Sequence, residues 1–218
     1  MKETMLKMFR FRHACKVFDP NRRVSDEDFA FILEAARLSP SSFGFEPWKL
    51  LIVEKPVLRE RIKAHTWGGR KQISTCSRLA AVLARKAYYM RYDSPYVSNI
   101  MRDIKGLDEE GQAVHRGLFE SFQKRDFELH GNERAMFDWA CKQTYLMMSQ
   151  MMLAAAAVGV DSCPFEGFHR DDIENILARD FGVDTGRFGI SFMIAFGYRV
   201  DEPPEKTRQH IEEIVEWF

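Results

Sequence analysis

The sequence predicts an α+β or mixed α/β protein, on three observations. Three short apolar runs, 48–53, 79–84 and 189–198, read as strands, and about six further segments space their apolar residues as helices do. The 218 residues, 45% hydrophobic and 29% charged, are enough to bury a substantial core, and one domain spanning 1–218 is the expectation.

Taken in order, a short helix fits Lys2–Arg10 and runs into the basic cluster RFRHACK and the turn FDPNRR. Ser25 is an N-cap candidate with Asp28 three residues on, and Phe29, Ile32, Leu33 and Ala36 form one apolar face. That helix stops near Ser39-Pro40, because a proline drives its predecessor out of the α region. WKLLIV, from Trp48 to Val53, is a strand bounded by Pro47 and Pro56. Residues 57–64 read as a charged helix, Gly68-Gly69 breaks the chain, and Leu79–Ala84 is a buried strand. The stretch from Tyr88 to Gly111 mixes aromatics, Pro95 and charges. It reads as a loop-rich excursion, the first part of a lid-like region over about 88–130.

Gln112–His130 has helical spacing through Leu118, Phe119, Phe122 and Phe127. Glu133–Val158 is the longest helix, and its final stretch YLMMSQMMLAAAAVG, apolar nearly all round, predicts a buried central element ended by Gly159. A shaped loop, VDSCPFEGF, leads to a helix over His169–Asp180 and a strong strand over Gly189–Tyr198. The tail passes Pro203-Pro204 into a short amphipathic segment.

Charge narrows the function classes. Thirty-two Lys and Arg balance thirty-two Asp and Glu, so no global field recruits nucleic acid or an anionic membrane. Cys15, Cys76, Cys141 and Cys163 lie far apart with no CxxC pair, which reads as reduced thiols and no metal site. The N-terminus lacks an apolar leader core, and no stretch reaches the ~18–20 apolar residues of a membrane span, so a cytoplasmic protein is expected. GxGxxG, P-loop, HExxH, GxSxG and kinase signatures are absent, which leaves the common dinucleotide-fold, phosphoryl-transfer, zinc-protease and hydrolase readings without a foothold.

Four constellations remain, each with a bland alternative. Arg12-His13-Ala14-Cys15-Lys16 offers a planar fork and a mobile point charge suited to phosphate oxygens, or is a solvated basic surface. The loop from Ser39 to Trp48 supplies hydroxyls and free amides for a ligand, or merely joins helix to strand. Cys163-Pro164-Phe165-Glu166-Gly167-Phe168 turns backbone amides toward a ligand, or caps the core. Lys206 and Arg208 add a second cationic pair, which makes one anion site only if it converges with the first.

Taken together and in order, RHACK, SPSSFGFEPWKLLIV, GGRKQ, PFEGF, FGYR and KTR resemble the nitroreductase family of FMN-dependent NAD(P)H oxidoreductases, across essentially the whole chain. The resemblance implies an α+β nitroreductase-like fold. A central mixed β-sheet would be flanked by helices, with the long helix at the core of a homodimer and each FMN at the subunit interface. It makes Arg12, His13 and Lys16 the family's N-terminal basic motif, with Arg12 near the FMN phosphate, Ala14 at the phosphate or ribityl region, Lys16 nearer the ring, and Lys206 and Arg208 closing on the same phosphate. Lys71 or Gln72 would face the pyrimidine edge, and Pro164, Phe165, Glu166 and Gly167 would run along the ring with a backbone amide at N5.

What the resemblance implies is ping-pong transfer of a hydride from NADH or NADPH to a nitroaromatic, quinone or other flat conjugated acceptor. The flavin does the chemistry, and no catalytic side chain is named. Phe43, Phe119 and Phe122 are candidates for the apolar face over the ring, or equally for core. Three departures stand out: Ala14 replaces a frequent Ser, Glu46 a frequent Gln, and the usual Asn near Gly69 is missing. Two other readings are a reductive dehalogenase or narrow reductase of the same fold, and a non-catalytic flavin-binding or structural dimer.

Overall fold

Alternate residues of one strand belong to different cores in this protein, and that sets its layers. The computed structural model describes residues 1–218. Strands β1 (Trp48–Ile52), β2 (Arg78–Arg85), β3 (Asp161–Phe165) and β4 (Phe188–Gly197) form one sheet in the order β1-β2-β4-β3. Leu79, Ala81 and Leu83 of β2 join Ile190, Met193 and Ala195 of β4 in one core, while Ala80, Val82, Phe192, Ile194 and Phe196 face the other. With both faces covered, these strands read as unbroken apolar runs instead of an alternation.

The expectation of a mixed sheet is corrected, because every neighbouring pair runs antiparallel. The β1–β2 and β3–β4 connections carry helices yet return to the same end of the sheet, and only the β2–β3 connection crosses to the other end. Parallel pairing survives only as a single bridge, Ala14 to Ser162. A second correction is β3 itself: 161–165 pairs with β4 from Asp161↔Gly197 to Phe165↔Met193, so only the end of the expected loop remains irregular. Pro164 escapes notice as a strand residue because proline fits a strand whose N–H side lacks a ladder partner.

One layer is α3 (Pro56–Ala64) with α9 (Arg170–Phe181), whose Ile62, Ile173 and Leu177 are buried in the first core. The opposite layer is α2 (Asp26–Arg37) with α8 (Glu133–Ala157). The Ser25 side chain accepts from the Asp28 N–H at 3.0 Å and caps α2 as expected. Asn132 caps α8 through the Ala135 N–H at 3.0 Å, and Gly159, at φ +71°, follows its last turn. A bulge in β4 leaves Ser191 opposite no residue of β2, and its hydroxyl lies 2.9 Å from that of Thr144 on α8. The second half of α8 is not buried all round: Leu146, Ser149 and Gln150 face outward in the single chain.

The region expected to be loop-rich is helical. It holds α5 (Ala87–Met90), α6 (Pro95–Asn99) and a π turn at Ile100–Ile104, with a short α4 (Arg70–Thr75) earlier in the chain, and α7 (Glu109–Ser121) follows where the helical spacing from Gln112 was expected. Caps explain how such short pieces persist: Ser94 accepts from the Val97 N–H at 3.2 Å, and Asp108 from Gly111 at 2.8 Å. A third core lies beneath them, where Met90, Val97, Met101 and Phe119 meet Phe137, Trp139 and Ala140 of α8. Buried Gln123 ties the region together, accepting from the Tyr92 N–H at 3.0 Å and donating to the Met90 carbonyl at 2.7 Å.

The N-terminal segment after α1 (Lys2–Phe11) runs beside β3 and then beside the end of β4. Cys15 donates its N–H to Ser162 O at 3.1 Å, and Asp19 to Tyr198 O at 2.8 Å. Phe18, fully buried, covers Gly197, where an added Cβ would lie 2.8 Å from the ring. Gly197→Ala is therefore expected to cost about 1–3 kcal/mol by overpacking, read as a lower urea midpoint at unchanged slope.

Candidate functional site

A buried ion pair fixes the cleft at the end of the sheet. Asp161, 3% exposed, opens β3 and accepts from Arg199 Nε at 3.0 Å and from its backbone N–H at 2.8 Å, with Nη2 2.7 Å from Oδ1 completing the ion pair. Arg199 also donates to Phe11 O at 3.2 Å and lies 4.2 Å from the Phe11 ring centroid. The guanidinium thus joins the ends of α1, β3 and β4 through one side chain. His13 Nδ1 is 3.5 Å from Asp161 Oδ1 but makes no hydrogen bond, leaving a buried polar nitrogen without a partner.

The two basic groups converge. Lys206 donates its ammonium to Arg12 O, and its pKa is lowered first by burial and then by the charges of Arg12, Arg208 and Arg199. Arg199 is matched by Asp161 and Glu202, whereas Arg12, Lys206 and Arg208 form no ion pair with any carboxylate. Like charges gathered without counter-charges repel one another unless an anion joins them. Beside them is a groove of about 180 Å³ walled by His13, Ala14, Cys15, Lys16, Pro203 and Pro204, with Asp201 and Glu202 also on its wall. Lys16 is exposed, and close enough to β3 for its charge to act on the Cys163 thiol.

The segments GGRKQ and PFEGF also meet. Gly68 donates its N–H to Gly167 O at 2.7 Å, and a Cβ on Gly167 would lie 2.6 Å from Gly68 Cα, so neither glycine tolerates a side chain. Gly69 is as tight, since an added Cβ there would stand only 2.5 Å from the Phe165 ring. Lys71 is exposed, but Gln72 is 4% exposed and directs its amide to Cys163 Sγ at 3.5 Å, away from any open edge. Pro164 is half-buried and Phe165 buried within β3, while Glu166 is exposed and Gly167 buried. Tyr145 of α8, which sequence reasoning passed over as core, donates its hydroxyl to Glu166. Burial and that carboxylate push its pKa up. No spacing signal links two residues that meet across the sheet end, so nothing in the sequence marked the pair.

The three phenylalanines cluster, with ring centroids 4.8 Å apart for Phe43–Phe119 and 5.1 Å for Phe43–Phe122. Phe119 has no exposure and stacks among Phe45, Phe122 and Trp139, which corrects its placement over a ring: it is core. Phe43 and Phe122 are half-buried and keep a face toward the surface. Phe43 belongs to a strained loop, with positive φ at Phe43 (+56°), Gly44 (+62°) and Glu46 (+47°). Each of the two non-glycine residues costs about 1–3 kcal/mol in that region, so the surroundings must hold them there.

The fold and the cleft define an α+β protein with an antiparallel sheet between helical layers and an unmatched cationic cluster at one sheet end. Residues 9–198 match the model of the nitroreductase family, and the chain belongs to that family. It is similar to YfkO of Bacillus subtilis (strain 168), which is named as an NAD(P)H nitroreductase, with 46% identity over 217 residues, covering 100% of this chain and 98% of that one. A Staphylococcus aureus (strain USA300) protein named in the same way is 47% identical over 218 residues, covering 100% of this chain and 96% of its own. Among solved structures, B. subtilis ydfN matches with TM-score 0.80 at 23% identity over 100% of both chains. A nitroreductase solved with FMN from Exiguobacterium sibiricum matches with TM-score 0.75 at 24% identity, over 98% of this chain and 97% of that one. At these identities the two structures establish the shared fold. No helix is long and apolar enough to cross a membrane.

The imidazole at the centre of the cleft gives a test of its electrostatics. Burial first, then Arg199, lowers the His13 pKa below the ordinary 6.5, against the opposing pull of Asp161. A group that takes up its proton less readily when folded contributes its full stability above pH 6.5 and loses it as the pH falls toward the folded value. His13→Gln should therefore gain stability relative to the parent between about pH 7.5 and 5.5, read from paired urea midpoints. The opposite trend would mean that His13 is charged in the folded protein.

Proposed function

We propose that this protein is an FMN-dependent oxidoreductase, acting as a homodimer. It takes a hydride from NADH or NADPH and passes it, in a ping-pong cycle, to a nitroaromatic, quinone or other flat conjugated acceptor. The observation that carries this reading is the convergence of Arg12, Lys206 and Arg208, none of which is ion-paired to a carboxylate. A phosphate dianion fits that cluster, since it supplies the missing counter-charge and several acceptor oxygens at once. Family membership and the nitroreductase names of relatives near 47% identity support the same conclusion.

FMN bound there would supply reversible two-electron chemistry, and the chain's part is to bind, orient and shield it. Arg12, Lys206 and Arg208 would hold the phosphate, with His13 and Ala14 along the groove wall. Ala14 offers no hydroxyl, so its contribution is limited to backbone. Lys16 and exposed Lys71 are the cations free to meet the pyrimidine edge, where negative charge gathers on reduction. Gln72, turned onto Cys163, would support that edge from behind. Pro164 to Gly167 would line the ring, and the Gly68–Gly167 contact removes the side chains that would keep a flat group away.

A second copy of the chain is the partner this reading requires. The outward row of α8 carries exposed Leu146, and the tail presents Ile211, Ile214, Trp217 and Phe218 to solvent in the single chain. Apolar surface of this kind is stabilised by burial against a subunit. The four cysteines are free thiols, which suits a reducing cytoplasm.

The purified protein should show oxidised-flavin absorption bands that bleach anaerobically with NADH or NADPH, and the released flavin should have the mass of FMN. A colourless protein that takes up no FMN overturns the proposal. Arg208→Ala should weaken FMN binding by about 1.5–3 kcal/mol, roughly ten- to a hundredfold or more in Kd, measured by flavin-fluorescence titration. Unchanged affinity would remove Arg208 from the phosphate site.

A further inference from the structure

The strained loop at Ser41–Glu46 is held by side chains from three directions. Gln143 of α8 accepts from the Ser42 N–H at 2.8 Å, and Ser41 Oγ accepts from the Glu46 N–H at 3.0 Å. Tyr96 of α6 points its hydroxyl at two successive carbonyls, Phe45 O at 2.7 Å and Glu46 O at 2.8 Å. Lys105, which follows the π turn, donates its ammonium to Phe43 O and lies 4.8 Å from the Phe45 ring centroid. Gly44 makes room for it, because an added Cβ there would already stand 3.4 Å from the lysine terminus. Tyr96 is itself pinned: the Arg85 guanidinium lies 3.5 Å from its ring centroid and 4.7 Å from that of Phe188, with Nε and Nη1 buried and without hydrogen-bond partners. Both clamping side chains come from the helical region over residues 87–130, and both grip the backbone of residues in or beside the left-handed conformation.

On the oxidoreductase reading above, we propose that Lys105 and Tyr96 are positioning residues for the acceptor. They hold Phe43 in its strained conformation so that its ring, beside Phe122, forms a fixed wall of the acceptor pocket. An unclamped Phe43 relaxes to negative φ, which redirects its side chain and takes the wall with it. The clamp touches neither the cationic cluster nor Glu166–Gly167, so its loss acts on acceptor binding and leaves reduction by the dinucleotide intact. The helical region then works on the reaction through the backbone of a loop far from it in sequence, without contributing a reacting group.

The test is hydrogen exchange and half-reaction kinetics on the flavin-loaded protein, comparing the parent with Lys105→Met and Tyr96→Phe. Exposed Lys55→Met, outside the clamp and the cleft, is the control. In Lys105→Met the amides of Gly44 and Glu46 should exchange at least about tenfold faster while those of β2 and β4 stay protected. The KM for a nitroaromatic acceptor should rise about tenfold, and anaerobic bleaching by NADH or NADPH should stay within about twofold. Tyr96→Phe, which removes one oxygen atom, should move both readouts in the same direction by less. Unchanged exchange overturns the clamp. Faster exchange with an unchanged acceptor KM, or an equal loss in both half-reactions, overturns the acceptor role. A parent protein whose flavin neither dinucleotide bleaches overturns the oxidoreductase reading and the acceptor role with it, and the exchange comparison still decides the clamp.

Discussion

A carboxylate removed from water must be matched almost completely, and the rest of this molecule is arranged around one that is. Asp161 is bound by the side chain and the backbone of Arg199, and the same guanidinium reaches the last carbonyl of the first helix. Replacing such a pair with apolar groups is often neutral for stability, so its value here lies in what it specifies. It sets where the N-terminal segment crosses the sheet end, and thereby brings Arg12, His13 and Lys16 beside the tail that carries Lys206 and Arg208. Without that crossing the basic residues are surface charge. With it they form a cationic cleft against a neutral protein.

Glycine performs the complementary task at the other motif. Where cations need to be brought together, Gly68 and Gly167 need to be emptied: two backbones approach within a distance no Cβ allows. The GGRKQ turn and the end of β3 therefore pack as one unit. Lys71 faces out of it and Gln72 faces in toward Cys163.

Much of the architecture was legible in the sequence, and the failures share a cause. The Ser25 cap, the span of α8 with its terminal Gly159, and the runs at 48–53, 79–84 and 189–198 are local signals, and each survives folding. β3 was hidden by Pro164, and α5 and α6 by lengths of four and five residues, too short to display a helical period. Their stability comes from caps and from the third core, neither of which has a short-range pattern. Phe119 looked as available as Phe43 because spacing alone does not tell an inward helical position from one at a cavity mouth. The site motifs were individually ambiguous for the same reason: whether Lys206 belongs with Arg12 depends on a contact across 194 positions, which only family resemblance could anticipate.

That separation has a bearing on how the chain is made. The contacts that complete the cleft, Arg199 to Phe11 and Lys206 to Arg12, span 188 and 194 positions, whereas the caps and helices mature within a few residues of one another. During synthesis the N-terminal segment leaves the ribosome long before β3, β4 and the tail exist to receive it. Its basic residues must wait in the open until almost the entire chain has emerged, whereas Phe18, whose N–H donates to Thr75 Oγ1 at 3.1 Å, has partners from the first half of the chain. The β1–β2 pair closes within residues 48–85 and is an early structure, α8 and α9 follow, and the cleft is the last to assemble. A chain that stops just before residue 199 would contain all four strands and lack Arg199, Lys206 and Arg208, so ligand binding reports a finished chain more sharply than helix content does.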